Sequence, residues 1–299
     1  MEQSLAPVVL FVYNRLEATK ATIECLKENY DAEKSDLFIF SDNAKKENQQ
    51  INVDRVREYI RTITGFRTIN IIEAEKNKGL AKSVISGVTD IINQYEKVIV
   101  LEDDILTSKC FLRYMNDALE YYKASDKIWS ISGYHFPFEI PDNYKDSVYY
   151  FYRSSSWGWA TWKDRWNTID WSVKKYSIYK YNPFMISSFC RGGTDLDKML
   201  RYQMSGKIDS WAIRWCFEQF LQNKLTVYPT HSLVNNIGTD GTGTHCDPTS
   251  ARFQTKIDND FNYEFTNTIV LDKEIVSRYQ KIVNRSAIRK IKKILQKKL

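Results

Sequence analysis

An apolar strand followed by an amphipathic helix, repeated through the first third of the chain, limits the fold more than any other feature. Pro7 to Tyr13 (PVVLFVY) is a continuous apolar run, as expected of a strand covered on both faces. Helical periodicity follows through Leu16, Ile23 and Leu26. Leu37–Phe40 (LFIF) reads as the next strand, stopped by Ser41, Asp42 and Asn43. Val53–Ile63 reads as a helix, Thr68–Ile72 as a third strand and Gly79–Ile92 as a helix. Val98–Leu101 (VIVL) is a fourth strand that runs straight into Glu102, Asp103 and Asp104. The strands lie roughly thirty residues apart, the spacing of right-handed βαβ units. A mostly parallel, doubly wound α/β sheet flanked by helices is expected.

After Ile105 the rhythm changes. A helix is expected over Phe111–Tyr122, short strands at Ile128–Ser132 and Val148–Tyr152, a Trp-dense stretch from Ser154 to Trp166, and a helix near Trp211–Gln222. Nothing marks an internal repeat or a low-complexity linker.

Composition excludes several classes. Hydrophobic residues make up 43% and charged residues 27%, which rules out wholesale disorder and a membrane-spanning bundle. The five cysteines are scattered without a C-x-x-C pair, so neither a disulfide framework nor a thiolate zinc site is indicated. The N-terminal apolar run lacks a basic leader and reads as a strand, not a signal peptide, and a cytoplasmic enzyme is expected. The net charge of +6 belongs to the end of the chain: residues 281–299 hold eight Lys/Arg and no acid, leaving 35 basic against 37 acidic residues elsewhere. Ile288, Ile291 and Leu295 recur there at helical spacing. A basic amphipathic tail suits an anionic membrane surface, at the inner face of the cell membrane, while a solvated helix packed on the body, an RNA-binding tail or a frayed end are the alternatives. With no basic surplus in the body, no nucleic-acid partner is expected.

Ligands of open α/β sheets lie beyond the carboxyl ends of the strands. Asn14 and Arg15, Asp42, and the Glu102-Asp103-Asp104 triplet all sit at such ends. Three adjacent carboxylates after a buried strand repel one another, and a Mg²⁺ or Mn²⁺ ion is their natural compensation. A solvated acidic turn is the alternative.

Taken together, V-V-L-F-V-Y-N-R at the start, S-D-N after the second strand, N-x-G-L-A at Asn77–Ala81 and L-E-D-D at Leu101–Asp104 resemble GT-A-fold glycosyltransferases. The acidic motif is most similar to that of the N-acetylglucosaminyltransferase I type and of bacterial family-2-like sugar transferases. The resemblance runs over about residues 7–245, is specific in the first hundred, and does not cover the tail. It implies a nucleotide-sugar-binding half over residues 1–108, an acceptor-binding and catalytic half over 109–270, and the tail over 271–299. It implies further that Asp104 binds the metal, Asp103 meets the ribose, Glu102 lines the nucleotide pocket, Arg15 approaches the diphosphate and Asp42 reads the base. Lys82 would meet phosphate oxygens, or is an exposed helical lysine.

In KIDSWAIRW (Lys207–Trp215), Asp209 resembles the catalytic carboxylate of the same family, a general base for an inverting transfer; an N-cap is the compatible alternative. Asp195 and Asp197 are weaker candidates. Trp157, Gly158 and Trp159 look like the family's acceptor loop, with Trp211 nearby, although a buried Trp cluster would explain several of these rings equally well. In NIGTDGTGTHC (Asn236–Cys246), His245 is a candidate to complete the metal shell. His135 and His231 are unassigned. The expected activity is metal-dependent transfer from a nucleotide-sugar, a UDP-sugar, to a glycan or lipid-linked glycan. A sugar nucleotidyltransferase and a non-catalytic glycan-binding protein are the alternatives; the first lacks its glycine-rich loop in VVLFVYNRLEA.

Overall fold

The computed structural model describes residues 4–238 and 253–283. In chain order its first units are β1 (Val8–Val12), α1 (Leu16–Lys27), β2 (Asp36–Ser41), α2 (Gln50–Ile60), β3 (Thr68–Glu73), α3 (Leu80–Tyr95) and β4 (Lys97–Glu102). The first three strands and β4 are mutually parallel, β1 pairing β2 on one side and β4 on the other. Alternate residues of β1 enter opposite layers. Val8, Leu10 and Val12 meet Ile23 and Leu26 of α1 and Val56 and Ile60 of α2. Val9 and Phe11 meet Ala81, Val84 and Val88 of α3 on the other face. Burial on both faces is why these strands are unbroken apolar runs.

The remaining elements are β5 (Ile105–Thr107), α4 (Phe111–Tyr122), β6 (Ile128–Ser132), β7 (Val148–Phe151), β8 (Trp159–Trp162), α5 (Lys163–Trp166), α6 (Tyr176–Tyr179), α7 (Pro183–Phe189), α8 (Asp195–Met204), α9 (Trp211–Leu221), β9 (Leu225–Pro229), β10 (Val234–Asn236) and α10 (Lys273–Val283). One sheet takes the order β3-β2-β1-β4-β8-β6-β9-β7 and so runs through both halves of the chain. Here β8 is antiparallel to β4 and β6, and β7 is antiparallel to β9, while β6 and β9 run with the first four strands. The sheet is mixed but mostly parallel, as expected.

The sequence reading missed β8. Its Trp-dense segment looked like a loop, but it pairs Val100 with Trp159 and Lys97 with Trp162. The core also extends further along the chain than expected. Ile275, Tyr279, Ile282 and Val283 of α10 are buried in the same cluster as β1, with Tyr279 stacked on Phe151 at 3.6 Å between ring centroids. The start of the segment assigned to a basic tail therefore belongs to the body; residues 284–299 lie outside the described residues.

His135 is buried against Phe138 and Tyr149, with Nε2 2.9 Å from the Phe138 carbonyl oxygen. Burial pushes its imidazole down to about 4. The unfolded chain takes up a proton near pH 6.5 and the folded one does not, so stability falls as pH drops from about 6.5 towards 4. Chemical denaturation should show His135→Gln removing about 2 kcal/mol of the stability difference between pH 7 and pH 5. An unchanged difference would assign the dependence to other groups.

Candidate active site

The chain builds β1, β2 and β3 outward on one side, then crosses to place β4 on the other side of β1. The carboxyl ends of β1 and β4 are thus the point where strand order reverses, the place where open α/β sheets hold ligands. Asn14 and Arg15 follow β1 there, and Glu102, Asp103 and Asp104 close β4.

Register brings the two clusters together. Because Phe11 pairs with Glu102, the chain beyond each strand lies beside the other. Arg15, immediately before α1, directs Nη2 onto both Asp103 and Asp104, the Asp104 Oδ2 contact being 2.8 Å. The Tyr13 amide donates to Asp103 Oδ2 at 3.3 Å, and the Thr22 hydroxyl donates to the Asp103 carbonyl at 3.0 Å. Both aspartates are buried.

A second segment closes over Asp104. β10 pairs antiparallel with β5, Asn236 opposite Ile105, so the next residue out falls opposite Asp104. The Ile237 amide donates to the Asp104 carbonyl at 2.9 Å, and Asn236 Nδ2 approaches Asp104 Oδ1 at 3.5 Å. Asn236 Oδ1 in turn accepts from the Gly238 amide at 2.8 Å. A Cβ at residue 238 would collide with the Asp104 carboxylate, so only glycine lets the backbone come this close. The sequence pointed to this glycine-rich segment for its histidine. The contacts of Asn236 and Gly238 depend on the β5–β10 register, which carries no short-range pattern.

The electrostatics are unbalanced. Three carboxyls face one guanidinium. Burial, and then the charges of Asp104 and Asp103, holds Glu102 well above the usual carboxylate range. Burial likewise pushes Asp103 up to about 6, against the opposing pull of Arg15. Burial alone would depress Arg15, but the two aspartates outweigh it and hold it above its ordinary value. Arg15 Nη1 is buried with no hydrogen-bond partner among the described residues.

Hard oxygen donors with surplus negative charge suit Mg²⁺ or Mn²⁺. No group of three or more His, Cys, Asp or Glu side chains able to hold a metal occurs among the described residues. Asp103 and Asp104 would therefore share such an ion with substrate oxygens and water, the usual manner of Mg²⁺. His245 lies outside the described residues.

The other expected site residues divide. Asp42 reaches the same sheet edge, but both its oxygens are occupied: Oδ1 accepts from the amides of Asn43 and Lys78 at 2.9 and 2.8 Å, and Oδ2 from the Gly79 amide and Asn77 Nδ2 at 2.9 and 3.0 Å. Asp42 pins the turn that opens α3. Lys82 is exposed in the first turn of α3 and Asn14 is half-buried. The connection from α9 to the parallel strand β9 is short, so α9 starts at the same edge as the β4 carboxylates. Asp209 precedes it, with its side chain 70% exposed and Arg214 Nη2 at 2.9 Å. The N-cap is Ser210, whose hydroxyl accepts from the Ile213 amide at 3.3 Å; the capping alternative for Asp209 is thus corrected by one residue.

The acceptor-loop aromatics are mostly core. Trp159 and Trp211 are buried and pack on Trp215 at 4.3 and 5.5 Å, so neither offers a face to a sugar. Gly158, at φ +57°, is packed between Val234 and Phe111, which fill the space a sugar ring would need. Trp157 alone of this group is half-buried, edge-on to Tyr134 at 4.7 Å.

Among solved structures, the fold is similar to two crystal structures of S. aureus TarS, one of residues 1–349. They are 11% and 12% identical to this chain, each with a TM-score of 0.40 over 76% of it, and the match spans 59% and 36% of those chains. No family model matches the sequence, and no curated protein does.

Replacing Arg15 removes the only cation hydrogen-bonded to this cluster among the described residues. Arg15→Gln should cost about 3 kcal/mol in urea denaturation at pH 7, the scale for breaking a buried ion pair. The defect should shrink at pH 5, where carboxyls with raised values take up protons. A loss that is equal at both pH values would contradict this balance of charge.

Proposed function

We propose that the chain is a metal-dependent, inverting glycosyltransferase that moves a sugar from a nucleotide-sugar, a UDP-sugar, to a glycan or lipid-linked glycan. The supporting observation is the buried, under-compensated carboxylate cluster of β4 at the strand-order reversal beside β1. Nothing in a sheet needs three acids at that point, whereas a cation with a diphosphate does.

In this reading Asp103 joins Asp104 in holding the ion, in place of the ribose contact the resemblance implied for it, because Arg15 draws both carboxylates together. When bound, the ion supplies positive charge for the departing diphosphate. Arg15 fixes the two carboxylates, and its Nη1, without a hydrogen-bond partner among the described residues, is a donor for a phosphate oxygen. Glu102 lines the nucleotide pocket. Asp42 shapes the base end of the cleft through the turn it pins, a cleft also lined by Phe40, Ile72, Lys78 and Ser83. Lys82 and Asn14 border the phosphates. On the acceptor side, Trp157 offers an apolar ring face.

Asp209 is the general base, and Arg214 orients its carboxylate. The acceptor hydroxyl oxygen attacks the anomeric carbon as its proton passes to Asp209. The bond from that carbon to the diphosphate oxygen breaks, and the electron pair leaves with the diphosphate. One displacement inverts the anomeric centre and needs no covalent intermediate.

Purified protein supplied with UDP-sugars and Mn²⁺ should release UDP, and EDTA should abolish the release; equal turnover in EDTA would contradict the metal role. Asp209→Asn should lower transfer by about a hundredfold or more while UDP affinity stays unchanged. A near-normal rate would put the base elsewhere.

A further inference from the structure

Residues 172–208 form an excursion between Trp171, which packs on Trp166, and Asp209 before α9. Its helices α6, α7 and α8 pack Tyr179, Phe189 and Leu196 against Ile213 and Phe217 of α9 in a small separate core. The outside is unusual. Ile178, Tyr181 and Phe184 are 65%, 79% and 83% exposed, the three most exposed large apolar side chains among the described residues. They fall within seven residues of one another across the α6–α7 corner.

The corner is held in this shape. Asn182 caps α7, its side chain accepting from the Phe184 and Met185 amides at 3.0 and 3.1 Å, with Pro183 in the first turn. The inward face of α7 is already taken by Phe189, so Phe184 has no core to enter. Clustered exposure of this kind marks a contact surface.

Charge identifies the partner. The excursion holds seven Lys/Arg against two Asp, and both aspartates are ion-paired, Asp195 with Arg153 and Asp197 with Arg201. Lys174, Lys175 and Lys180 flank the apolar side chains, and Lys180 Nζ lies 4.6 Å from the Tyr181 ring. Aromatic and aliphatic tips ringed by lysines match the boundary between headgroups and acyl chains of an anionic bilayer. Among the described residues no helix is long and apolar enough to cross a membrane, so contact here would be at the surface.

We propose that the α6–α7 corner docks the protein onto a bilayer rich in anionic phospholipid, with Ile178, Tyr181 and Phe184 entering the interface and Lys174, Lys175 and Lys180 meeting the headgroups. This surface is made of residues other than 284–299, and the proposal does not depend on the catalytic reading.

The test is co-sedimentation of the full chain with vesicles of phosphatidylglycerol and phosphatidylcholine, or of phosphatidylcholine alone. Binding is expected to the anionic vesicles only, and to weaken in high salt. The triple variant Ile178→Ser, Tyr181→Ser, Phe184→Ser and the triple variant Lys174→Glu, Lys175→Glu, Lys180→Glu should each lose about tenfold or more in partitioning, with circular dichroism and UDP binding unchanged. Five of these six side chains are exposed and Lys180 is half-buried, so folding should survive. Wild-type-like binding by both variants would overturn the proposal, as would no binding by the parent chain. So would sedimentation velocity showing that the apolar variant breaks a dimer without affecting vesicle binding.

Discussion

The structure turns on negative charge buried where β1 and β4 part. Three carboxyls stand at the end of a strand whose central residues, Val98 to Leu101, are apolar and buried, and one guanidinium, Arg15, reaches the last two of them. The arrangement is costly in a low-dielectric setting, which is why two of the acids are held above the normal carboxylate range. The surroundings serve that geometry. Thr22 and Ile237 bind the backbone on either side of the acidic turn, and Gly238 brings a neighbouring segment against Asp104. In the proposed reading a cation offsets this cluster, which lies at the strand-order reversal where open α/β sheets hold ligands.

The first third of the fold was legible because each signal was local. Strands buried on both faces read as unbroken apolar runs, and amphipathic helices fill the gaps, so β1 to β4 stand within a residue or so of where the pattern places them. Candidate site residues could be picked out for the same reason: polar residues immediately after buried strands must gather at one edge. The second half hides its logic in long-range pairing. An antiparallel strand, β8, lies between two parallel ones; its Trp159 looks like a ligand platform in sequence yet builds a core with Trp166, Trp211 and Trp215, and Trp162 is buried in the other layer. Burial of these rings removes most of the aromatic argument for a glycan-binding surface. The first turns of the presumed tail carried an apolar face that the basic residues beyond it masked, and that face packs on the body through Tyr279.

Asp42 shows how a correct location can conceal a different task. The resemblance implied that it reads the base, whereas three of its four accepted hydrogen bonds tie down the Asn77–Gly79 turn and the fourth comes from the Asn43 amide. A side chain saturated in this way shapes a pocket through the backbone it holds. The excursion carrying α6, α7 and α8 ends at Asp209, immediately before α9, so the exposed apolar corner and the proposed base belong to one continuous stretch of chain.

The most direct measurement is a crystal soaked with manganese and UDP, read by anomalous diffraction. The account predicts a manganese peak bounded by the carboxylates of Asp103 and Asp104 and by the diphosphate, with the uracil towards Asp42. A bound nucleotide elsewhere, or no metal at the end of β4, would contradict it.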